Sequence, residues 1–141
     1  MRIMALDIGE KRIGVAISDP AENVASPVCV VPYQEVITNG KAWRRILEDW
    51  EPELLVCGLP LTLSGQRGAQ AKRVCDAAEQ IAKNCALPLE FTDERLSSVE
   101  AKRSLRDLGY DEAAMRGKID MIAASLFLQS WLDSHKTQQE R

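Results

Sequence analysis

Histidine and aromatic residues are scarce in this sequence. His135 is its single histidine, and only 5% of its 141 residues are aromatic. The four cysteines include no Cys-x-x-Cys pair, so the usual spacing of a zinc site is absent. A cysteine nucleophile needs a histidine partner, and His135 stands in a polar segment where we expect it to be solvated. The sequence therefore disfavours zinc sites and acyl-transfer triads, and we expect reduced cysteines that act as small core residues.

Long hydrophobic runs are also absent. No apolar segment approaches the ~20 residues that a membrane helix needs. The N-terminal apolar run is interrupted by Asp7 and by the charged stretch Glu10–Arg12, a pattern that is not typical of a signal peptide. We therefore expect a cytoplasmic protein with no membrane partner.

The sequence has no large excess of charge of one sign. Its formal net charge is −3, whereas domains that coat nucleic acid by bulk electrostatics are usually basic. Basic residues nevertheless occur in clusters that a fold could bring to one surface, although solvation of a helix face is the simpler interpretation of the middle clusters. The clusters are Lys11 and Arg12; Arg67, Lys72 and Arg73; Lys102, Arg103 and Arg106; and Arg116 and Lys118.

One domain is the expected organisation. A chain of 141 residues is long enough to bury one core and too short for two. Hydrophobic residues make up 45% of the chain and charged residues 28%, which is typical of a globular protein. We predict a single domain over residues 1–133, followed by a polar, irregular tail over residues 134–141.

Strand patterns dominate the first third of the chain. Alternating apolar residues indicate strands over residues 2–8 and 12–18, joined by the short turn Gly9–Lys11. A third strand is expected over about residues 26–33, after the turn signal Asp19–Pro20. The chain is therefore predicted to open with three antiparallel strands.

Helices and strands alternate after residue 40. Helical spacing of apolar residues predicts a helix between Gly40 and Pro52, and "ELLVCGLP" and "LEFTDER" predict a fourth and a fifth strand. Helices are also expected after the loop "LTLSGQRG", from the capping box of Ser97 and Glu100 to Gly109, and over residues 119–132. This order predicts an α/β fold of ribonuclease H-like architecture, with a mixed five-stranded sheet flanked by helices.

Three acids are expected to converge in that architecture. Asp7 lies near the end of the first strand, Glu94 follows the fifth strand, and Asp120 stands in the first turn of the last helix. Carboxylates that meet repel one another unless a cation or a proton compensates their charge. Oxygen ligands without histidine or cysteine suit Mg²⁺ or Mn²⁺, so these acids are candidate metal ligands.

A site of this kind is suited to phosphodiester hydrolysis. Two such ions about 4 Å apart can activate a water molecule and stabilise the leaving oxygen. A basic residue nearby would hold the phosphate, and the candidates are Arg12, Arg95 and Lys118.

Each acid also has an ordinary structural interpretation. Asp7 could accept hydrogen bonds from turn amides, Glu94 could pair with Arg95, and Asp120 could favour a helix N-terminus. Asp93 and Asp19 are interpreted as a strand-end residue and a turn residue. The stretch "DIGEKRIG" also fits the phosphate-binding hairpin of actin-like and hexokinase-like proteins, but these close a nucleotide between two domains and this chain has room for one.

Four stretches resemble, in the same order, the motifs of the YqgF family, which is also called RuvX. They are "ALDIGEKRIGVAISDP", "LLVCGLPLTLSG" followed by "GAQAKRV", "TDERLSSVEA" and "KIDMIAASLFLQSWLD". The resemblance runs from residue 2 to about residue 133. It implies a ribonuclease H-like domain related to the Holliday junction resolvase RuvC.

The resemblance also implies a function. Family members are regarded as nucleases that help to mature the 5′ end of precursor 16S ribosomal RNA, with the ribosome or processing factors as further partners. It implies that Asp7, Glu94 and Asp120 are the acids of the site, beside a loop that includes Leu59, Pro60 and Gly65. RuvC-type resolvases carry a glutamate just after the fourth strand, where this chain has Gly58, so the second ligand either comes from "TDER" or is missing.

Three hypotheses remain open from the sequence. They are a metal-dependent ribonuclease acting on precursor ribosomal RNA, a resolvase acting on a DNA junction, and a non-catalytic RNA-binding domain in ribosome assembly. A resolvase cuts two symmetric strands and so requires a dimer.

Overall fold

β1 is the central strand of the sheet, and most of the described structure is assembled around it. The computed structural model describes residues 1–60, 68–94, 103, 106–111 and 117–139. The elements in chain order are β1 (Ile3–Ile8), β2 (Arg12–Ser18), β3 (Ala25–Pro32), α1 (Tyr33–Ile37), α2 (Lys41–Trp50), β4 (Leu54–Leu59), α3 (Ala69–Cys85), β5 (Leu89–Asp93) and α4 (Ile119–Gln139).

The described strands form one five-stranded sheet in the order β3-β2-β1-β4-β5. β2 pairs antiparallel with both β1 and β3, whereas β4 pairs parallel with both β1 and β5. The predicted mixed sheet of ribonuclease H-like architecture is therefore confirmed. Because the carboxyl ends of parallel strands meet at one edge of a sheet, the residues that end β1, β4 and β5 lie near one another.

Helices cover both faces of the sheet. α1, α2 and α3 pack on the face to which β1 contributes Met4 and Leu6. α4 packs on the opposite face, against Ile3 and Ala5. Because side chains alternate along a strand, Asp7 belongs to the face that α4 covers.

Gly14 is the point of close approach between the sheet and α4. It pairs with Asp7 across β1 and β2. A Cβ atom at Gly14 would overlap the backbone carbonyl group of Asp120 and approach the amide nitrogen of Met121 to 2.6 Å. The absence of a side chain at Gly14 therefore lets the first turn of α4 rest directly on β2.

The end of α4 differs from the sequence-based expectation. The helix continues to Gln139, so the backbone of residues 134–139 is helical rather than irregular. His135, which we expected to be solvated, is half-buried and stacks on Trp131 with the ring centroids 3.6 Å apart. Lysine and glutamine favour helices, and the contact between His135 and Trp131 lies in the turn that precedes this polar segment.

Among the described helices, none combines the length and the apolar character that a membrane span requires.

Gly109 stops a helical segment, as the sequence predicts. Its φ angle is +90°, and its N–H donates a hydrogen bond to the carbonyl oxygen of Arg106 at 2.9 Å. Glycine adopts this left-handed conformation without steric cost. The predicted start of this helix, with Ser97 and Glu100, lies outside the described residues.

The short helix α1 was not expected from the sequence, which predicts only a strand end there. The N–H of Tyr33 donates to the carbonyl oxygen of Lys11 at 2.9 Å, which ties the start of α1 to the β1–β2 turn. The carboxylate of Glu35 accepts a hydrogen bond from the N–H of Ala42 at 2.8 Å. Glu35 therefore caps the N-terminus of α2 from the neighbouring helix.

All four cysteines are free thiols. Cys57 is fully buried in β4, and burial raises the pKa of its thiol well above the ordinary value. The thiol therefore stays protonated and packs as a small apolar group, as the sequence predicts.

Replacing Gly14 by alanine tests the close approach of α4. We expect the free energy of unfolding to fall by about 1–3 kcal/mol, because the added methyl group must displace the helix backbone. Urea denaturation would measure the change. Gly117→Ala is the matched control, since a Cβ atom there meets no atom within 4 Å. Equal stability of the Gly14→Ala variant and the parent would contradict this account of the packing.

Candidate active site

The predicted acids lie at the edge of the sheet where β1, β4 and β5 end. Asp7 is the penultimate residue of β1, and Glu94 directly follows β5. The N–H of Glu94 donates to the carbonyl oxygen of Leu59 at 3.3 Å, which holds Glu94 beside the end of β4. Asp120 approaches from the first turn of α4. Three separate elements therefore deliver the three acids to one region.

Asp7 and Glu94 form a hydrogen-bonded carboxyl pair. Asp7 is only 9% exposed. Burial, followed by the charge of Glu94, raises the pKa of Asp7 to about 9. Burial also raises the pKa of Glu94, while its hydrogen bond with Asp7 opposes that rise. At neutral pH Asp7 is therefore protonated, and it donates the hydrogen bond that Glu94 accepts.

Gly58 makes room for this pair. A Cβ atom at Gly58 would lie 2.7 Å from Oε2 of Glu94 and 2.8 Å from Cε2 of Phe127. The glutamate side chain that reaches the end of β4 thus comes from the residue after β5. The sequence left open whether a second carboxylate comes from the "TDER" segment or is missing, and the structure brings Glu94 from that segment into contact with Asp7.

Asp120 has a cationic partner. Nε of Arg12 lies 3.2 Å from Oδ2 of Asp120, and the carboxylate side chain is 24% exposed. Burial raises the pKa of Asp120, and the positive charge of Arg12 counteracts part of that rise. The charge of Asp120 also contributes to the raised pKa values of Asp7 and Glu94. Asp120 therefore lies within electrostatic range of the carboxyl pair while its own charge is compensated by Arg12.

The donor chemistry of this region fits a hard divalent cation. Every candidate ligand offers oxygen, and two buried carboxyl groups in contact must share a proton unless a cation replaces it. Among the described residues, no three side chains of Asp, Glu, His or Cys lie in an arrangement that could hold a metal ion. The structure thus assembles a pair, Asp7 and Glu94, with Asp120 nearby.

The predicted phosphate contacts have different positions. Arg12 lines a groove of about 380 Å³ together with the β1–β2 turn and the first turn of α4. Nζ of Lys118 lies 5.0 Å from the ring centroid of Tyr110. Arg95 lies outside the described residues, as does Gly65 of the predicted substrate loop. The lining of the groove is Gly9, Glu10, Lys11, Arg12, Ile119 and Asp120.

Two acids have the structural roles that the sequence predicts. Oδ1 of Asp19 accepts hydrogen bonds from the N–H groups of Asn23 and Val24 at 2.7 and 2.9 Å, which closes the β2–β3 turn. The hydrogen bonds from these amides lower the pKa of Asp19, and the one from Val24 has the largest effect. Asp93 is exposed at the end of β5.

Sequence reasoning missed Tyr110, and it noted Gly58 only as the position where RuvC-type resolvases carry a glutamate. A glycine within an apolar strand also indicates close approach by another group. Tyr110 directly follows the helix-stopping Gly109 in a sequence with few aromatic residues. Neither signal identifies the partner, since Glu94 and Lys118 reach these residues through the tertiary fold.

The fold and the buried acid pair place the protein in the ribonuclease H-like class. It resembles RuvC from Thermus thermophilus in complex with a Holliday junction substrate, with a TM-score of 0.56, 15% identity and coverage of 96% of each chain. It also resembles the Fowlpox virus resolvase in complex with Holliday junction DNA, with a TM-score of 0.52, 16% identity, and coverage of 95% of this chain and 98% of that chain. These likenesses establish the fold.

Sequence comparison identifies the family. The model of the RuvX family, described as Holliday junction resolvase, matches residues 1–134. A relative from Roseiflexus sp. (strain RS-1), named "Putative pre-16S rRNA nuclease", is 41% identical and covers 96% of both chains. A relative of the same name from Anaeromyxobacter sp. (strain Fw109-5) is 38% identical, over 94% of this chain and 97% of its own. The chain belongs to the RuvX family, whose members are nucleases.

The raised pKa of Asp7 predicts a pH dependence of stability. A carboxyl group whose pKa is higher in the folded than in the unfolded protein stabilises the fold at low pH. In EDTA, the free energy of unfolding should therefore fall as pH rises from near 3.8 to about 9. Asp7→Asn should reduce this fall, because asparagine does not ionise. Urea denaturation at a series of pH values measures both slopes.

Asp19→Asn is the control for this measurement. The pKa of Asp19 is lowered, so its contribution to stability is present above its unfolded pKa and is lost as pH falls. Asp19→Asn should therefore change stability on the acid side and leave the decline toward pH 9 in place. A parent protein whose stability does not fall across that range would contradict the raised pKa of Asp7.

Proposed function

We propose that this chain is a divalent-metal-dependent endonuclease of the cytoplasm that hydrolyses phosphodiester bonds and matures the 5′ end of precursor 16S ribosomal RNA. The observation that carries the proposal is the buried pair of Asp7 and Glu94 at the strand ends, with Asp120 beside it. The family membership supports nuclease chemistry, and the names of the relatives support the RNA substrate.

Asp7, Glu94 and Asp120 would hold Mg²⁺ or Mn²⁺. When bound, such an ion polarises a phosphoryl oxygen and lowers the pKa of a water molecule. The carboxyl pair must lose its shared proton to act as a ligand pair, so a cation and that proton compete for the same oxygens. Arg12 keeps Asp120 in place, through its 3.2 Å contact, before any ion binds.

Basic side chains near the acids would bind the phosphates of the substrate. Arg12 combines a half-exposed guanidinium with a position in the groove beside Asp120. Lys11 lines the same groove, and Lys118 precedes α4. We assign Arg12, Lys118 and Arg95 to substrate binding, the last from its position next to Glu94 in the sequence. The positive charge of these side chains would attract the phosphates of the substrate locally, although the net charge of the whole chain is negative.

A DNA junction is the second candidate substrate, because the family model carries the description of a Holliday junction resolvase. The relatives named for pre-16S rRNA are 41% and 38% identical, whereas the solved resolvases are 15% and 16% identical and establish only the fold. We therefore favour RNA as the substrate. The ribosome or other processing factors would be the further partners.

Cleavage assays test the proposed function directly. Purified protein is incubated with a precursor 16S ribosomal RNA fragment in Mg²⁺, Mn²⁺ or EDTA, beside a four-way DNA junction. We expect metal-dependent RNA cleavage that Asp7→Asn and Asp120→Asn each reduce by roughly 100-fold or more. Asp19→Asn is the matched control, because Asp19 is a turn residue at the opposite end of β2 from Arg12.

The outcomes distinguish the three hypotheses. Symmetric cleavage of the junction alone, by a dimer, would replace RNA by DNA as the substrate. RNA binding without cleavage, retained in Asp7→Asn and lost in variants of the basic residues, would indicate a non-catalytic assembly domain. Cleavage that persists in EDTA and in both variants would contradict the assignment of the acids.

Arg12 variants test the role of its contact with Asp120. Because the charge of Arg12 lowers the pKa of Asp120, Arg12→Gln should raise that pKa and shift the acid limb of the cleavage profile to higher pH. The rate should also fall roughly tenfold, the effect of losing one hydrogen bond to a charged group. Cleavage rates measured against pH give both quantities, and Arg12→Lys should retain part of each.

Arg45→Gln provides the control for the loss of one positive charge. Arg45 lies on α2, which packs on the face of the sheet opposite α4. This variant should keep the pH profile of the parent. An unshifted acid limb in Arg12→Gln would show that the contact with Asp120 has no effect on cleavage.

A further inference from the structure

Tyr110 is an exposed aromatic residue held in position by a cation. Tyr110 is 37% exposed, and Nζ of Lys118 lies 5.0 Å from its ring centroid. A cation at this distance from a ring is attracted to its negative face. Leu108, two residues earlier, is 74% exposed. An apolar surface with an oriented ring therefore lies open to solvent next to a lysine.

This surface adjoins the candidate active site. Lys118 directly precedes α4, and its carbonyl oxygen accepts a hydrogen bond from the N–H of Ile122 at 3.1 Å. Lys118 is thereby tied to the helical turn that carries Asp120. Tyr110, through its contact with Lys118, lies beside the same turn. The groove that contains Arg12 is lined by the other residues of this turn.

An aromatic ring next to positive charge is suited to one class of ligand. Proteins bind single-stranded nucleic acids with cations along the backbone and aromatic rings on which unpaired bases stack. The two strands of a duplex keep their bases stacked on one another and inaccessible to such a ring. Lys11, Arg12 and Lys118 provide the charge here, and Tyr110 provides the ring.

We propose that Tyr110 stacks on an unpaired base next to the cleaved bond, so that the substrate is single-stranded RNA at the cleavage position. This inference rests on the proposed nuclease function and adds to it the strandedness of the substrate. Lys118 has two roles in it, because it orients the ring and attracts the adjacent phosphate.

Binding is measured in EDTA, so that cleavage cannot interfere. The probe is a fluorescein-labelled RNA of about 12 nucleotides, either single-stranded or annealed to its complement, and the readout is fluorescence anisotropy. We expect the single strand to bind more tightly than the duplex. Tyr110→Leu should weaken binding of the single strand roughly tenfold, and Tyr110→Phe should retain it.

Val24→Ala is the matched control for removal of exposed apolar surface. Val24 is 55% exposed in the β2–β3 turn, at the opposite end of β2 from Arg12. This variant should bind the single strand as the parent does. Thermal unfolding of all variants separates loss of contact from loss of folding.

Abasic RNAs distinguish stacking from a structural role of Tyr110. Each base is removed in turn, and one position should weaken binding to the parent roughly tenfold while leaving binding to Tyr110→Leu unchanged. If every abasic RNA loses the same affinity with the parent and with Tyr110→Leu, the ring only supports its loop and the proposal is wrong. Preference for the duplex, or unchanged binding by Tyr110→Leu, would also overturn it.

Cleavage in Mg²⁺ separates this inference from the proposed function. Tyr110→Leu should raise KM and leave kcat near the parent value, because the ring contacts a base of the substrate and none of the reacting atoms. A parent protein that binds the single strand through Tyr110 but cleaves no RNA would contradict the nuclease proposal and leave the stacking inference intact. If the protein cleaves both strands of a duplex and Tyr110→Leu leaves KM unchanged, the stacking inference is wrong and the nuclease proposal stands.

Discussion

The close contact between Gly14 and the backbone of α4 determines where the last helix meets the sheet. Because Gly14 has no side chain, the first turn of α4 rests directly on β2. Gly14 is the residue of β2 that pairs with Asp7 of β1. That placement brings Asp120 within reach of Arg12 and near the carboxyl pair. It also sets the position of Lys118, and through Lys118 that of Tyr110. One steric constraint in the sheet therefore organises both the acids and the surface beside them.

The electrostatics of the site follow from placing carboxyl groups at the end of a buried sheet. Asp7 is 9% exposed on the face of β1 that α4 covers, so its charged form is poorly solvated. In the described part of the site, Arg12 compensates the charge of Asp120. Asp7 is protonated at neutral pH and donates a hydrogen bond to Glu94, which reduces the repulsion between these two groups. Holding buried carboxyl groups in contact is costly for stability, a feature that is common at functional sites.

Much of the fold could be predicted from local sequence patterns. The bounds of β2 agree with the predicted residues 12–18, because the alternation is regular and the flanking turns contain charged residues, glycine or proline. Asp19 was correctly interpreted as a turn residue and Gly109 as a helix stop, since each acts through its own neighbourhood in the chain. The predictions were less accurate at residues 134–139, where a polar composition indicated an irregular tail although the helix continues. The stacking of His135 on Trp131 within this helix cannot be predicted from composition alone.

The order of strands and helices, the mixed sheet and the three candidate acids can be read from the chain, because periodicity and ordered motifs are local properties. Which of these acids touch depends on the tertiary fold. Glu94 pairs with Asp7 because β4 lies between their strands and has no side chain at Gly58. Arg12 pairs with Asp120, and Lys118 with Tyr110, because the packing of α4 brings together residues that are distant in sequence or in different elements. Such contacts depend on distances of a few ångströms across the fold, and no local pattern of residues encodes them.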